Sequence, residues 1–354
     1  MITSPDDPSL GELCAELARG AGELDRSEAW PHEQLQLCGQ RGVYEWFMPR
    51  VWGGQEWSDR DITRAYLRLG AACLTTAFII TQRTGACLRV AGSENEAAKE
   101  RWLGPLTSGE TFATVGISHL TTSRRHVSEP VLRAREVEGG FVLDGYSPWV
   151  TGAGHASMLV TGAVLASGQQ ILLALPTDLP GVSVPPPHRL VGLSASHTGE
   201  VRLEEVQVSR EWLLAGPAEN VMKIGVGAGT GGLQTSTLAI ALAAAAIEFL
   251  EHESLARSDL AEPAAELGRE QRRLQDTLLA LAGGERVCTN DQLRAQANSI
   301  ALRAAQAALA AAKGAGYVVG HPAGRWCREA LFFLVWSCPQ GVMAANLCEL
   351  AGLD

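Results

Sequence analysis

The chain has 354 residues, of which 46% are hydrophobic and 19% charged, and its formal net charge at pH 7 is −10. This composition excludes a disordered chain, and the length is enough for about two domains with a sizeable core. A surplus of acidic residues without any basic block argues against nucleic acid as the main partner.

The eight cysteines are scattered and form no Cys-x-x-Cys pair. The sequence therefore predicts neither a metal site nor a disulfide framework. The first residues lack the positive and apolar segments of a secretion signal. The longest apolar run, 238–247, is shorter than the roughly 20 residues that a membrane span needs. We therefore expect a cytoplasmic protein without membrane contact.

The spacing of apolar residues and the frequency of turn residues change twice along the chain. This pattern predicts three domains of an α+β protein. Residues 1–109 place apolar side chains at helical spacing and predict an N-terminal helical domain. Residues 110–213 have shorter apolar stretches and frequent turn residues, which predict a middle β-barrel or sandwich domain. Residues 214–354 are rich in alanine and leucine and predict a C-terminal four-helix bundle.

Within the middle domain, the pair Gly139-Gly140 separates two strand-like stretches, 131–138 and 141–146. We interpret it as a hairpin turn in which both glycines tolerate positive φ. Further strands are predicted at 171–175 and 201–208. Three consecutive prolines, 185–187, have no amide hydrogens for a ladder and are predicted to lie in a connection.

Several short strings, taken in chain order, carry a family resemblance. The most distinctive, Leu-Asp-Gly-Tyr-Ser-Pro-Trp-Val-Thr-Gly-Ala at 143–153, is close to Gly-x-Lys-x-Trp-Ile-Thr-Asn-Ala. The others lie at 92–96 with 102–110, 181–184 with 203–208, 314–317, and 325–330. Together they resemble the acyl-CoA dehydrogenase superfamily of flavoproteins over nearly the whole chain. The resemblance implies the three-domain fold described above.

The resemblance also implies FAD, bound between the β domain and the helical bundle. In this family the aromatic ring of the Trp-Ile-Thr string covers one face of the flavin, and the threonine hydroxyl reaches the region of its N5 atom. The corresponding residues are Trp149 and Thr151. A flat aromatic ring excludes water and a hydroxyl donates a hydrogen bond, so both residue types suit a flavin.

A second flavin-binding segment of the family, Thr-Glu-Pro-x-x-Gly-Ser-Asp, corresponds to residues 118–125. Only the hydroxyl of Ser118 is retained, but part of the family's contact is made by the backbone, which keeps Ile117 and Ser118 as cofactor-binding candidates. Arg124 and Arg125 replace the Ser-Asp pair. They are candidates for binding a substrate phosphate or carboxylate, with a solvated surface pair as the alternative.

Two more cofactor candidates come from the C-terminal domain. An arginine that in this family contacts the FAD diphosphate of a neighbouring subunit corresponds to Arg257, although Leu260 replaces the aromatic residue that follows it. The family's Gly-Gly-x-Gly string corresponds to 313–316 and includes Gly316. Ala310 stands where the family has a glutamine.

The family's catalytic base has no counterpart in this sequence. Acyl-CoA dehydrogenation needs a carboxylate within reach of the substrate α-carbon. The two positions at which family members carry it correspond to Ser337 and Gly231. Neither is acidic, so the catalytic residue is left unassigned, with Glu248 or Glu251 as substitutes if the long helix is shifted. Cys338 has an apolar flank that raises a thiol pKa and disfavours a catalytic role.

Three functions are therefore compatible with the sequence. The first is an FAD-dependent oxidoreductase that oxidises an acyl thioester at its α,β-carbons, and the second is a flavin-dependent monooxygenase of the same fold. The third is a non-catalytic partner subunit. The resemblance further implies a CoA or carrier-protein thioester as substrate, an electron-transfer protein as partner, and a homodimer or homotetramer packed through the last helices.

Overall fold

The computed structural model describes residues 1–121, 129–224 and 232–353. Its N-terminal part is helical, with the helices α1 Pro8–Ser27, α2 His32–Gln40, α3 Asp59–Ala72, α4 Leu74–Ala91 and α5 Glu96–Ser108. Asp7 caps α1 by accepting a hydrogen bond from the Ser9 amide, and Pro8 occupies the first turn, where its missing amide hydrogen costs nothing.

The middle part is a mixed sheet of eight strands. The strands are β1 Ala113–Gly116, β2 Leu132–Val137, β3 Gly140–Thr151, β4 Met158–Leu165, β5 Gln170–Pro176, β6 Val182–Ser183, β7 Thr198–Ser209 and β8 Leu213–Ala218. Their order is β6-β7-β3-β2-β4-β5-β8, and β1 lies parallel to β4. A short helix, α6 Ser118–Thr121, follows β1. Because β8 pairs with β5, the sheet continues past residue 213, and residues 184–190 with the three prolines form a connection.

The predicted hairpin joins β2 and β3, which pair antiparallel, but its turn is shifted by one residue. Gly139 has φ +79°, whereas Gly140 already belongs to β3. A Cβ atom on Gly140 would lie 2.1 Å from the Val208 carbonyl oxygen. The second glycine is therefore required by the close approach of β7 and not by the turn.

The C-terminal part contains the helices α7 Gln234–Ser254, α8 Ala261–Ala282, α9 Asn290–Gly316, α10 Pro322–Leu331 and α11 Gln340–Leu350. Among the described residues, α7 is the one helix long and apolar enough to cross a membrane, and 67% of its most apolar window is buried inside the fold. The helix is a core element of the bundle.

The N-terminal and C-terminal helices share one hydrophobic core. Side chains of α1, α3 and α4 pack with those of α7, α9 and α10, while the sheet encloses a separate core of its own. A Cβ atom on Gly70 in α3 would lie 2.8 Å from that of Ala241 in α7. The small residues thus permit the close packing of helices that their abundance predicts.

Candidate flavin site

The end of β3 presents one exposed ring and one buried hydroxyl. The β3–β7 pairing is interrupted between Ser147 and Val150, and this irregularity directs Trp149 outward. The Trp149 side chain is 56% exposed, and its ring centroid lies 5.4 Å from that of His188. Thr151 is only 4% exposed and its hydroxyl is hydrogen-bonded to that of Thr198 at 2.9 Å. An exposed aromatic ring beside a buried donor suits a flat, polar ligand.

The segment after β1 lies against the same strand. A Cβ atom on Gly116 would be 2.7 Å from the Ser147 hydroxyl and 3.0 Å from the Val150 side chain. Ile117 and Ser118 follow Gly116 directly, so the structure brings these two candidates next to the strand that carries Trp149. Three other residues named from the sequence, Arg124, Arg125 and Gly231, lie outside the described residues.

Two buried polar atoms in this segment have no hydrogen-bond partner among the described residues: Ser118 Oγ and His119 Nδ1. His119 Nε2 donates to the Gly162 carbonyl at 2.7 Å, and burial lowers the histidine pKa, which keeps the ring neutral. In that tautomer Nδ1 is an acceptor without a donor. A polar ligand beside α6 would satisfy both atoms.

The turn after Thr151 is anchored to the N-terminal region by a cluster of rings. Trp30 stacks on His155 with 4.2 Å between centroids, and His155 Nε2 lies 3.0 Å from His197 Nδ1. Because His197 Nε2 donates to the Glu28 carbonyl, its neutral form accepts the hydrogen bond from His155. Burial, followed by the charge of His197, lowers the pKa of His155. This hydrogen-bonded pair holds the loops before β7 and after β3 together.

The loop that precedes β7 is also held by α10. Arg328 makes two hydrogen bonds to Asp25 of α1, at 2.8 and 2.6 Å, and a third to the Val191 carbonyl at 3.4 Å. Asp25 is nearly buried, so this bidentate pair is worth more than an exposed one. All three parts of the chain thus fix the loop that leads to Thr198.

The remaining cofactor candidates, Arg257 and Gly316, lie together at the other end of α7. Arg257 donates to the Ala311 carbonyl at 2.6 Å, and Glu253 and Asp259 lie 3.9 and 3.7 Å from its guanidinium. Gly316 is buried at the end of α9. The long helix α7 separates this pair from Gln234, at its start, by roughly 30 Å. In the described structure no hydrogen bond, ion pair or ring contact joins either residue to Trp149.

Of the two base positions, the structure describes Ser337. Ser337 is exposed, with φ +44°, in the turn between α10 and α11. Glu248 and Glu251 are exposed on α7, and Glu248 lies 14 residues past the start of the helix, which is about 21 Å. Glu251 pairs with Arg272 at 3.8 Å. Burial raises the pKa of Cys338, as the sequence predicts, and disfavours its thiolate.

The sequence around the site is free of acids over long stretches. No aspartate or glutamate occurs in 74–93, 111–128, 145–177, 220–247 or 330–348. These stretches include α4, β1, the end of β3, β4, β5 and the first two thirds of α7. A carboxylate base would therefore have to come from outside all of them.

The residues present fit a flavin better at β3 than at Arg257. Near the end of β3 the Trp149 ring is exposed and the Thr151 hydroxyl is buried, and the segment after β1 holds two buried polar atoms without partners among the described residues, on Ser118 and His119. At Arg257, two carboxylates and a carbonyl already occupy the guanidinium. A diphosphate there would compete with them.

Sequence reasoning missed Arg89, a buried arginine of α4 that lies beside β1. Its Nη1 donates to the Gly85 carbonyl of its own helix at 2.8 Å, and its Nε has no hydrogen-bond partner in the described part of the chain. Arg294 is equally buried, but it donates to Asn298 at 2.8 Å and to the carbonyls of Phe333 and Trp336 at 3.2 and 2.9 Å. Burial lowers the pKa of both arginines to about 10. The available signal was an arginine inside the apolar stretch Ala-Cys-Leu-Arg-Val-Ala at 86–91.

This contrast predicts opposite effects of one substitution. Arg89→Met should leave the free energy of unfolding unchanged or raise it by about 1 kcal/mol, because it removes a poorly compensated buried charge. Arg294→Met should lower it by about 2 kcal/mol, because it leaves buried carbonyls without donors. Urea unfolding of the two variants measures the difference. An equal loss in both would show that Arg89 is as well partnered as Arg294.

The comparisons with known proteins agree with this architecture. The acyl-CoA dehydrogenase N-terminal domain model matches residues 12–110. A probable acyl-CoA dehydrogenase, YngJ of Bacillus subtilis, is 25% identical over 340 residues, covering 89% of this chain and 88% of its own. The oxygenase component of p-hydroxyphenylacetate 3-hydroxylase from Acinetobacter baumannii is 25% identical over 155 residues, or 43% of this chain and 33% of its own.

Among solved structures, a glutaryl-CoA dehydrogenase from Mycobacterium smegmatis in complex with FADH2 superposes with a TM-score of 0.81 at 16% identity, covering 99% of both chains. Residues 12–110 thus match the N-terminal domain of acyl-CoA dehydrogenases, and the chain is similar to such enzymes over 89% of its length. The fold class predicted from the sequence is confirmed.

Proposed function

We propose that the chain binds FAD at the end of β3 and acts as an oxidoreductase on an acyl thioester. The observation that carries the proposal is the juxtaposition of exposed Trp149 and buried Thr151 beside the segment after β1. Bound FAD supplies a two-electron acceptor. Trp149 would shield it from water, Thr151 would donate a hydrogen bond to it, and Ile117 and Ser118 would bind it through backbone and hydroxyl groups.

The substrate and partners are part of the same proposal. The similarity to YngJ and to a glutaryl-CoA dehydrogenase supports a thioester of CoA or of a carrier protein, with Arg124 and Arg125 as binding residues for its anionic groups. An electron-transfer protein would reoxidise the flavin. We also propose a cytoplasmic location.

A flavin-dependent monooxygenase is the second candidate, and a specific observation favours it. Such an enzyme adds oxygen without removing an α-proton and therefore needs no carboxylate base. The acid-free stretches around the site suit this chemistry. The partial similarity to a hydroxylase oxygenase component supports it as well.

A homodimer or homotetramer is proposed from the C-terminal surface. Tyr317, Val318 and Val319, after α9, are 87%, 64% and 81% exposed. Val335, after α10, is also exposed, whereas Phe333 from the same apolar run belongs to the core. Exposed apolar side chains of this number indicate a contact surface, and a neighbouring subunit would bring Arg257 to a second flavin site.

The decisive experiment is an anaerobic spectrum of the FAD-loaded protein titrated with a panel of acyl thioesters. Loss of the flavin absorbance on addition of one thioester is the result expected for the dehydrogenase. Oxygen consumption and product hydroxylation with supplied reduced flavin, without such bleaching, would identify the monooxygenase. A protein that stays colourless after incubation with FAD and consumes no oxygen with supplied reduced flavin would contradict both and leave the non-catalytic partner subunit.

A further inference from the structure

A chain of three buried hydroxyls leads to Thr151. Thr151 and Thr198 face each other in the β3–β7 register, and their hydroxyl oxygens lie 2.9 Å apart. The Ser196 hydroxyl lies 2.8 Å from that of Thr198. Thr198 is 8% exposed and Ser196 is fully buried. His197, between them, points the other way, to His155 and the Glu28 carbonyl.

The number of hydroxyl hydrogens determines which of the three residues donates each hydrogen bond. Three hydroxyls carry three donor hydrogens, but the two oxygen–oxygen contacts use only two of them. Buried donors are almost always satisfied, so the third hydrogen needs an acceptor at one end of the chain. Thr198 is the hydrogen-bond partner that the described residues provide for Ser196, whereas Thr151 lies two residues from exposed Trp149. The unsatisfied hydrogen therefore belongs at Thr151.

We infer that Ser196 and Thr198 are positioning residues that turn the Thr151 hydroxyl outward, toward the ligand that stacks on Trp149. Ser196 donates to Thr198, Thr198 donates to Thr151, and Thr151 donates to the ligand. A hydroxyl that accepts one hydrogen bond donates a stronger one, so the chain also strengthens the contact that Thr151 makes. This inference rests on the proposed function, because that ligand is taken to be FAD.

A double-mutant cycle on the full-length protein tests this arrangement. The dissociation constant of FAD, measured by flavin fluorescence, should rise about 10-fold in Thr151→Val and about 3-fold to 5-fold in Thr198→Val. Ser196→Ala should have a smaller effect, and Thr198→Ser should restore most of the affinity because it keeps the hydroxyl. In the double variant the affinity should equal that of Thr151→Val alone. The midpoint potential of the bound flavin gives a second readout. It should shift most in Thr151→Val, less in Thr198→Val and least in Ser196→Ala.

Thr107→Val is the matched control. This buried threonine of α5 donates to the Leu103 carbonyl at 2.7 Å and is outside the hydroxyl chain. Its substitution should lower stability without coupling to Thr151. If Thr151→Val weakens FAD binding and Thr198→Val does not, or if the two effects simply add, the inference is wrong while the proposed function stands. If the unmodified protein binds no FAD, both are wrong.

Discussion

The contribution of Glu329 to the free energy of unfolding is expected to fall by about 3 kcal/mol between pH 4.5 and about pH 8. Glu329 is fully buried in α10, and burial raises the pKa of its carboxyl group from the ordinary 4.5 to about 7. Arg325 opposes this shift, since its Nε lies 3.5 Å from Glu329 Oε1, but that nitrogen makes no hydrogen bond in the described structure. Desolvation therefore outweighs the charge pair.

The direction of the pH dependence follows from the pKa values of Glu329 in the unfolded and the folded protein. In the unfolded chain Glu329 loses its proton near pH 4.5, whereas in the folded protein it keeps the proton until about pH 7. Its stabilising contribution is complete below pH 4.5 and is lost as the pH rises through 7. The 2.5 units between these values correspond to about 3 kcal/mol at 1.36 kcal/mol per unit.

The measurement is the difference in unfolding free energy between the unmodified protein and Glu329→Gln across this pH range. Other groups titrate in both proteins and cancel in the difference. The two should be nearly equal at pH 4.5, with Glu329→Gln the more stable protein at pH 8. Glu138→Gln, at the exposed β2–β3 turn, is the control substitution of a glutamate outside the core. A difference for Glu329→Gln that does not change with pH would mean that Arg325 keeps the carboxylate ionised.

The parts of the fold that depend on local pattern could be predicted from the sequence. Helical spacing, short apolar stretches and the glycine pair at 139–140 indicate the order of helices, sheet and helices, and the hairpin between β2 and β3. The reason for Gly140 could not be predicted, because it depends on the Val208 carbonyl on a strand about 70 residues away. The pattern of apolar residues along one strand does not show which other strand packs beside it.

The same limit applies to the site. Trp149 and Thr151 are found through a string of adjacent residues, but Thr198 is 47 residues from Thr151 and becomes its partner only through the strand register. The Arg328–Asp25 pair joins residues 303 positions apart. Sequence position identifies a functional residue when the neighbouring residues are also part of the motif. Residues that position it from elsewhere in the fold need the structure.

Trp149→Ala is expected to weaken FAD binding about 30-fold to 100-fold while leaving the stability of the protein without flavin nearly unchanged. Stacking of a flat ring on an aromatic side chain contributes about 1–3 kcal/mol by alanine substitution, and the upper half of this range corresponds to the expected loss. Trp149 is 56% exposed and its close ring neighbour is His188, so the fold itself gains little from it. A large effect on affinity with a small effect on stability is the signature of a ligand contact.

Tyr146→Ala provides the matched comparison for this prediction, because Tyr146 is an exposed aromatic residue of the same strand, three positions before Trp149. Fluorescence titration with FAD and urea unfolding should be carried out on both variants. Trp149→Phe should keep most of the affinity, since it retains a ring. Equal FAD affinity in Trp149→Ala and in the unmodified protein would remove Trp149 from the site. An equal loss of affinity in Trp149→Ala and Tyr146→Ala would instead indicate that both substitutions disturb the strand, because only a change confined to position 149 assigns the contact to that ring.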